Sequence, residues 1–122
     1  MSATNVVDSS GWLEYLADTA RASLFAPAIE DAANLIVPVI SLYEVFRKVL
    51  RERGESAALQ VASVMQTGHL IDLDGSLAME AARHPLPLAD SLIYATCLRN
   101  GATLWTQDEH FKGLPGVNYF AK

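Results

Sequence analysis

The chain has little of what several common chemistries require. Its 122 residues include one cysteine, Cys97, which cannot close an internal disulfide and whose apolar neighbours mark it as a small core residue. The histidines His69, His84 and His110 show no ligand spacing with one another or with the cysteine, which argues against a zinc site. No Gly-rich phosphate loop, GxSxG elbow or CxxC pair is present, so nucleotide binding, serine hydrolysis and dithiol chemistry lose support. Apolar runs are short, and the longest, Leu35 to Ile40, is interrupted by Pro38; no membrane span is expected. The opening residues MSATNVVD lack a basic segment followed by an apolar one, so no secretory signal is expected and the cytoplasm is the expected compartment. There is no internal repeat, low-complexity tract or linker. With 51% hydrophobic residues, the length suits a single domain over residues 1–122.

Positive charge is also scarce: nine Lys and Arg face fourteen Asp and Glu, for a net charge of -5. A nucleic-acid partner usually shows as a basic excess. That reading changes if four of the fourteen carboxylates hold metal ions, because the remaining ten nearly balance the nine cations and the metal itself attracts phosphate.

What is present is an alternation of short strands and helices. Asn5 to Val7 reads as a strand followed at once by Asp8, with Ser9 or Ser10 expected to cap a helix carrying Trp12, Leu13 and Leu16. Leu35 to Val37 reads as a second strand, and Ser41 as the cap of a helix from Leu42 to Arg53 that Gly54 ends. A helix from Ser56 to Gln66, a strand from His69 to Leu73 and a helix from about Ser76 to Arg83 follow. The stretch PLADSLIYATCLRNG then predicts a helix from about Pro87 to Arg99, with Pro87 at its first position and Gly101 just past its end. Ala102 to Thr106 is a fourth strand and Val117 to Phe120 a short fifth. This order implies an α/β fold of three layers, α/β/α, around a short, mainly parallel sheet. Ligands of such sheets bind outside the carboxyl ends of the strands, where Asp8 and Asp108 fall.

Four acids stand out, and each has an ordinary explanation. Asp90 lies in the first turn of its helix, where the dipole favours a carboxylate, yet Ile93, Tyr94 and Cys97 share its face. Glu44 follows Ser41 by three residues, the capping-box spacing. The face that Glu44 opens also carries Arg47, Lys48 and Arg51, opposite Leu42, Val45, Phe46, Val49 and Leu50. That strip is either a solvated face with Glu44 paired to Lys48, or a track for a polyanion backbone whose reactive phosphate lies at Glu44. Asp8 and Asp108 fit helix caps, and Thr106 and Gln107 fit ordinary strand-end positions. Asp72 and Asp74 flank the third strand without an obvious helix-start partner and rank lower.

In combination the four converge on one edge of a parallel sheet. Carboxylates a few ångströms apart repel by about 4 kcal/mol per pair at an effective dielectric near 20. A hard divalent cation removes that conflict, and oxygen-only ligands favour Mg²⁺ or Mn²⁺.

VVDSSGWLEYL, SLYEV and LADSLIYATCLRNGATLWTQDEHF, taken in order over nearly the whole chain, resemble the PIN-domain ribonucleases. The resemblance implies that Asp8, Glu44, Asp90 and Asp108 are the metal-binding acids and that Thr106 is the hydroxyl residue supporting them. The short length is most similar to the VapC-type toxins of toxin–antitoxin pairs, which implies cleavage of transfer or ribosomal RNA, a homodimer and a cognate antitoxin. The expected activity is metal-dependent hydrolysis of RNA phosphodiesters, with Arg47, Lys48 and Arg51 holding the RNA. The rivals are a non-catalytic interaction module of the same fold, a PIN-type nuclease of RNA processing, and a metal-dependent phosphoesterase acting on small phosphates.

Overall fold

The structure, a computed structural model, describes residues 3–122. Five strands, β1 (Asn5–Val7), β2 (Leu35–Pro38), β3 (His69–Ile71), β4 (Thr103–Thr106) and β5 (Val117–Tyr119), form one sheet in the order β3-β2-β1-β4-β5. Every pairing is parallel, with Val7 beside Trp105 and Thr106 beside Tyr119. The helices are α1 (Ser9–Leu16), α2 (Ala22–Ile29), α3 (Val39–Arg53), α4 (Glu55–Met65), α5 (Gly75–Ala81) and α6 (Leu88–Arg99), with single 3₁₀ turns at Ala32–Asn34 and Glu109–Phe111.

Side-chain alternation along the short strands divides the core in two. Val7, Leu35 and Val37 pack with Trp12, Phe25, Val45 and Met65 under α1 to α4. Val6, Ile36 and Leu104 pack with Ile93, Tyr94, Cys97 and Phe111 under α6, and α5 closes over α6 through Leu77, Ala81, Leu92 and Ala95. The result is the expected three-layer α/β/α arrangement. α6 is buried from Ser91 through Cys97, which explains why its apolar residues occupy nearly every side. No helix among the described residues is long and apolar enough to cross a membrane.

Several local expectations are corrected. Asp8, not Ser9 or Ser10, caps α1 by accepting from the Gly11 N–H at 2.9 Å. α3 starts at Val39, with Pro38 as its cap residue, so Ser41 lies inside the helix, fully buried, and no capping box with Glu44 forms. Lys48 pairs with Glu52 at 3.1 Å rather than with Glu44. Asp74 does have a helix-start partner: it caps α5 through the Leu77 N–H at 2.8 Å and meets Arg99 at 3.5 Å. Pro87 is the cap of α6 rather than its first residue. α2 is not expected from the sequence, because Pro27 inside it lacks the N–H that would bond the Ser23 carbonyl. Its buried residues Ala22, Phe25, Ala28 and Ile29 recur at helical spacing and hold it against the sheet.

Candidate metal centre

Parallel strands deliver consecutive chain segments to the same edge, and β1 and β4 are neighbours in the sheet. Asp8 leaves the end of β1 and its N–H bonds the Trp105 carbonyl at 3.2 Å, which sets it beside Thr106. The Thr106 hydroxyl donates to Asp8 Oδ2 at 2.7 Å and accepts from the Asp108 N–H at 2.9 Å, so one buried side chain ties both acids together. Asp108 in turn caps the 3₁₀ turn by accepting from the His110 N–H at 3.0 Å.

Asp90, on the first turn of α6, faces this pair from the other layer. His110 bridges the gap: its Nδ1–H donates to Asp90 Oδ2 at 2.8 Å and lies 3.1 Å from Asp108 Oδ1. One ligand atom from each of Asp90, Asp108 and His110 falls within 4.8 Å of the others. Glu44, on the second turn of α3, is half-buried and accepts from the Ser9 hydroxyl at 2.6 Å. It does not touch the other acids, but its charge reaches Asp90.

The electrostatics are those of carboxylates short of a counter-charge. Asp8 is 3% exposed and has no cationic partner among the described residues; only Thr106, Gly11 and Ser10 donate to it. Burial pushes its pKa up to about 6 against the lowering effect of those donors, and Asp108 adds to the rise. Burial, then the Asp108 charge, also raises Asp90. His110 is raised by its bond to Asp90 and by the Asp108 charge.

A buried carboxylate with no cation beside it is the arrangement that a divalent ion would relieve. The donor set fits one: oxygens from Asp8, Asp90, Asp108 and Glu44 suit a hard cation such as Mg²⁺ or Mn²⁺, whereas His110 Nδ1, which holds its proton between Asp90 and Asp108, is a partner of the acids and not a ligand.

The cationic strip runs away from Glu44. Tyr43, Glu44, Arg47, Lys48, Arg51 and Glu52 line an open cavity of about 320 Å³. Arg47 donates to the Tyr43 hydroxyl at 2.7 Å, and Arg51 forms no ion pair among the described residues.

Sequence reasoning misses two participants. Ser9 reads only as a cap, although its hydroxyl holds Glu44. His110 is discounted because its spacing to other histidines and the cysteine is wrong, whereas its partners are two aspartates, Asp90 on α6 and Asp108 at the cap of its own turn. The one signal for it in the sequence is its place two residues beyond Asp108.

A family model described as the PIN domain matches residues 6–117. The fold superposes on that of a toxin–antitoxin complex from Klebsiella pneumoniae with a TM-score of 0.79, at 20% identity and over 96% of each chain. It also superposes on VapC20 of Mycobacterium tuberculosis, a toxin that cleaves the sarcin–ricin loop, with a TM-score of 0.76 at 20% identity, covering 93% of this chain and 97% of that one. VapBC2 from Rickettsia felis, bound to a DNA fragment from the promoter, gives 0.73 at 13% identity, over 97% of this chain and 99% of that one. No curated protein matches by sequence.

Proposed function

Because the chain belongs to the PIN-domain family, we propose that it is a divalent-metal-dependent endoribonuclease, the toxin of a toxin–antitoxin pair that inhibits translation by cutting transfer or ribosomal RNA. The observation that carries this reading is the convergence on one sheet edge of buried Asp8 with Asp108, tied by Thr106, and of Asp90, bridged to Asp108 by His110. The likeness to toxin structures, one of which cleaves an RNA loop, supports it.

Asp8, Asp90 and Asp108 would hold Mg²⁺ or Mn²⁺, and the chemistry that ion would supply is a lowered pKa for water and compensation of charge on the phosphoryl oxygens. Glu44 keeps one carboxylate oxygen on Ser9 and has the other free to orient the attacking water and accept its proton. Thr106 fixes the rotamer of Asp8 and the backbone of Asp108 from behind. Arg47, Lys48 and Arg51 hold the RNA backbone as it leads to the acids.

The reading includes a cognate antitoxin and a homodimer, and places the protein in the cytoplasm. Two apolar surfaces are available to such partners. One is a groove along α3 and α4 lined by Leu42, Phe46, Leu50 and Leu59. The other is the outer side of α5 and α6, with Met79 and Leu88 exposed.

The test is to incubate purified wild-type protein and Asp8→Asn with total transfer and ribosomal RNA, with Mg²⁺, Mn²⁺ or a chelator. Discrete cleavage by the wild type alone, and only with metal, is expected. Cleavage by Asp8→Asn at the wild-type rate would overturn the assignment, and a wild type that neither cuts RNA nor binds either metal would make the chain a non-catalytic interaction module.

A further inference from the structure

A second cavity adjoins the acids and shares no lining residue with the Arg47 strip. It has a volume of about 540 Å³, within the range that holds a small ligand, and its lining includes Ser10, the carboxylates Asp108 and Glu109, and the cations and ring of Lys112, Tyr119 and Lys122. The two cavities flank one centre. Glu44 lines the first, Asp108 the second, and the adjacent residues Ser9 and Ser10 join them, Ser9 holding Glu44 and Ser10 donating to Asp8.

Its lining has unspent binding capacity. Lys112 and Lys122 are two of the three lysines in the chain, and neither forms an ion pair among the described residues. Tyr119 stands beside Thr106 in the sheet, at the end of the edge strand β5, and the Lys112 ammonium lies 5.9 Å from the centre of its ring. Tyr119 is partly exposed, and cations interleaved with an aromatic ring are the pattern by which proteins take up single-stranded nucleic acid: the ring stacks on a base of any identity and the ammonium groups follow the backbone. In a chain with a net charge of -5, these two unpaired lysines give the carboxylate cluster a cationic border at which a polyanion backbone can be held.

We propose that this cavity binds the nucleotide on the far side of the cut phosphate from the Arg47–Arg51 strip, its base on the Tyr119 ring and its phosphates at Lys112 and Lys122. The proposal rests on the ribonuclease reading and adds a second substrate subsite to it. Lys112 is exposed and can leave the ring face for the phosphate as the base arrives. The scissile bond thereby lies between two held segments of a single strand, and the subsite selects for an unpaired base rather than for a particular one.

The test is fluorescence anisotropy with a 5′-fluorescein single-stranded RNA dodecamer, in chelator so that no cleavage intervenes, over a series of salt concentrations. Removing one lysine from a phosphate should lower the steepness of log K against log salt by about 0.7, so Lys112→Ala/Lys122→Ala should lower it by about 1.4. Tyr119→Ala should weaken binding about tenfold with no change in that steepness, and Tyr119→Phe should bind as the wild type does. If Tyr119→Ala does not fold, the exposed lysine pair still decides the matter. Wild-type binding that all these variants reproduce in affinity and in salt dependence overturns this subsite and leaves the ribonuclease reading standing. Failure of the metal-free wild type to bind RNA also overturns the subsite, whose lysines and ring need no metal, and leaves the ribonuclease reading to the cleavage test with Mg²⁺ or Mn²⁺.

Discussion

Burial lifts the Asp8 pKa from an ordinary 3.8 to about 6, and this sets the direction of a pH effect. Below the unfolded value the carboxyl is protonated in both states and contributes nothing. Between about pH 4 and 6 the folded protein holds a proton that the unfolded chain has released. Above 6 the folded state carries a desolvated charge, a penalty of about 3 kcal/mol when no cation is bound. The metal-free protein should therefore lose stability as pH rises through this window. Asp8→Asn, which keeps an acceptor for the Gly11 N–H, should melt at a higher temperature than the wild type at pH 7 in chelator while losing cleavage. Thermal denaturation of the two proteins checks this, and a lower melting point for Asp8→Asn would show that the charge is already compensated. His110 adds a slope of the same sign: its raised pKa gives a stabilising pairing with Asp90 and Asp108 that is complete below about 6.5 and fades as pH rises through the folded value. Its role is hard to read from the sequence because its partner Asp90 lies twenty residues away on another element, and only the three-dimensional fold brings them together.

At the level of elements, α1 can reach the sheet only because residue 11 has no side chain. A Cβ there would lie 2.7 Å from the Phe25 ring of α2 and 2.7 Å from Val7 Cγ1 of β1. Gly11→Ala should force α1 and α2 apart and cost about 1 to 3 kcal/mol, measured as a lower urea midpoint. An unchanged midpoint would mean that the α1–α2 packing is loose. Because the Gly11 N–H also holds Asp8, the same substitution should weaken metal binding. The strands and the long helices are legible because a short apolar run followed by an acid or a proline changes hydrophobic period abruptly, as at Val7–Asp8 and Pro38–Val39. α2 is not, since an interior proline argues against a helix and only packing of Phe25 and Ile29 overrides it. The start of α3 is misplaced by the sequence pattern because Ser-x-x-Glu at Ser41 and Glu44 fits a capping box by spacing alone; the chain enters from β2 with Pro38 as the cap, earlier than that pattern requires. The error matters, because a Glu44 held in a capping box would bond its own helix, whereas this one is held by Ser9 across the site.

For the whole molecule, an acidic total hides an ordered distribution of charge. Carboxylates gather at the carboxyl edge of the sheet, cations line the cavities on either side, and Arg21 and Arg99 are spent on structural pairs with Glu14 and with Asp74 and Glu80. Replacing Arg47, Lys48 and Arg51 together by alanine should therefore reduce cleavage of RNA about tenfold or more, and cleavage of a small phosphodiester far less. Equal loss on both substrates would show that the strip does not track a polymer. The acid positions are legible from the β–α order, which sends Asp8 and Asp108 to one edge; the Lys112–Tyr119–Lys122 side is not, because it forms only when β5 pairs beside β4. Cleavage by this centre requires above all that these carboxylates form a cation site. Calorimetric titration of Mn²⁺ into the wild type and Asp90→Asn at pH 7 tests it most directly. Saturable binding by the wild type, weakened at least about tenfold in Asp90→Asn, is the predicted result. Absence of saturable binding, or equal affinity in the two proteins, would contradict it.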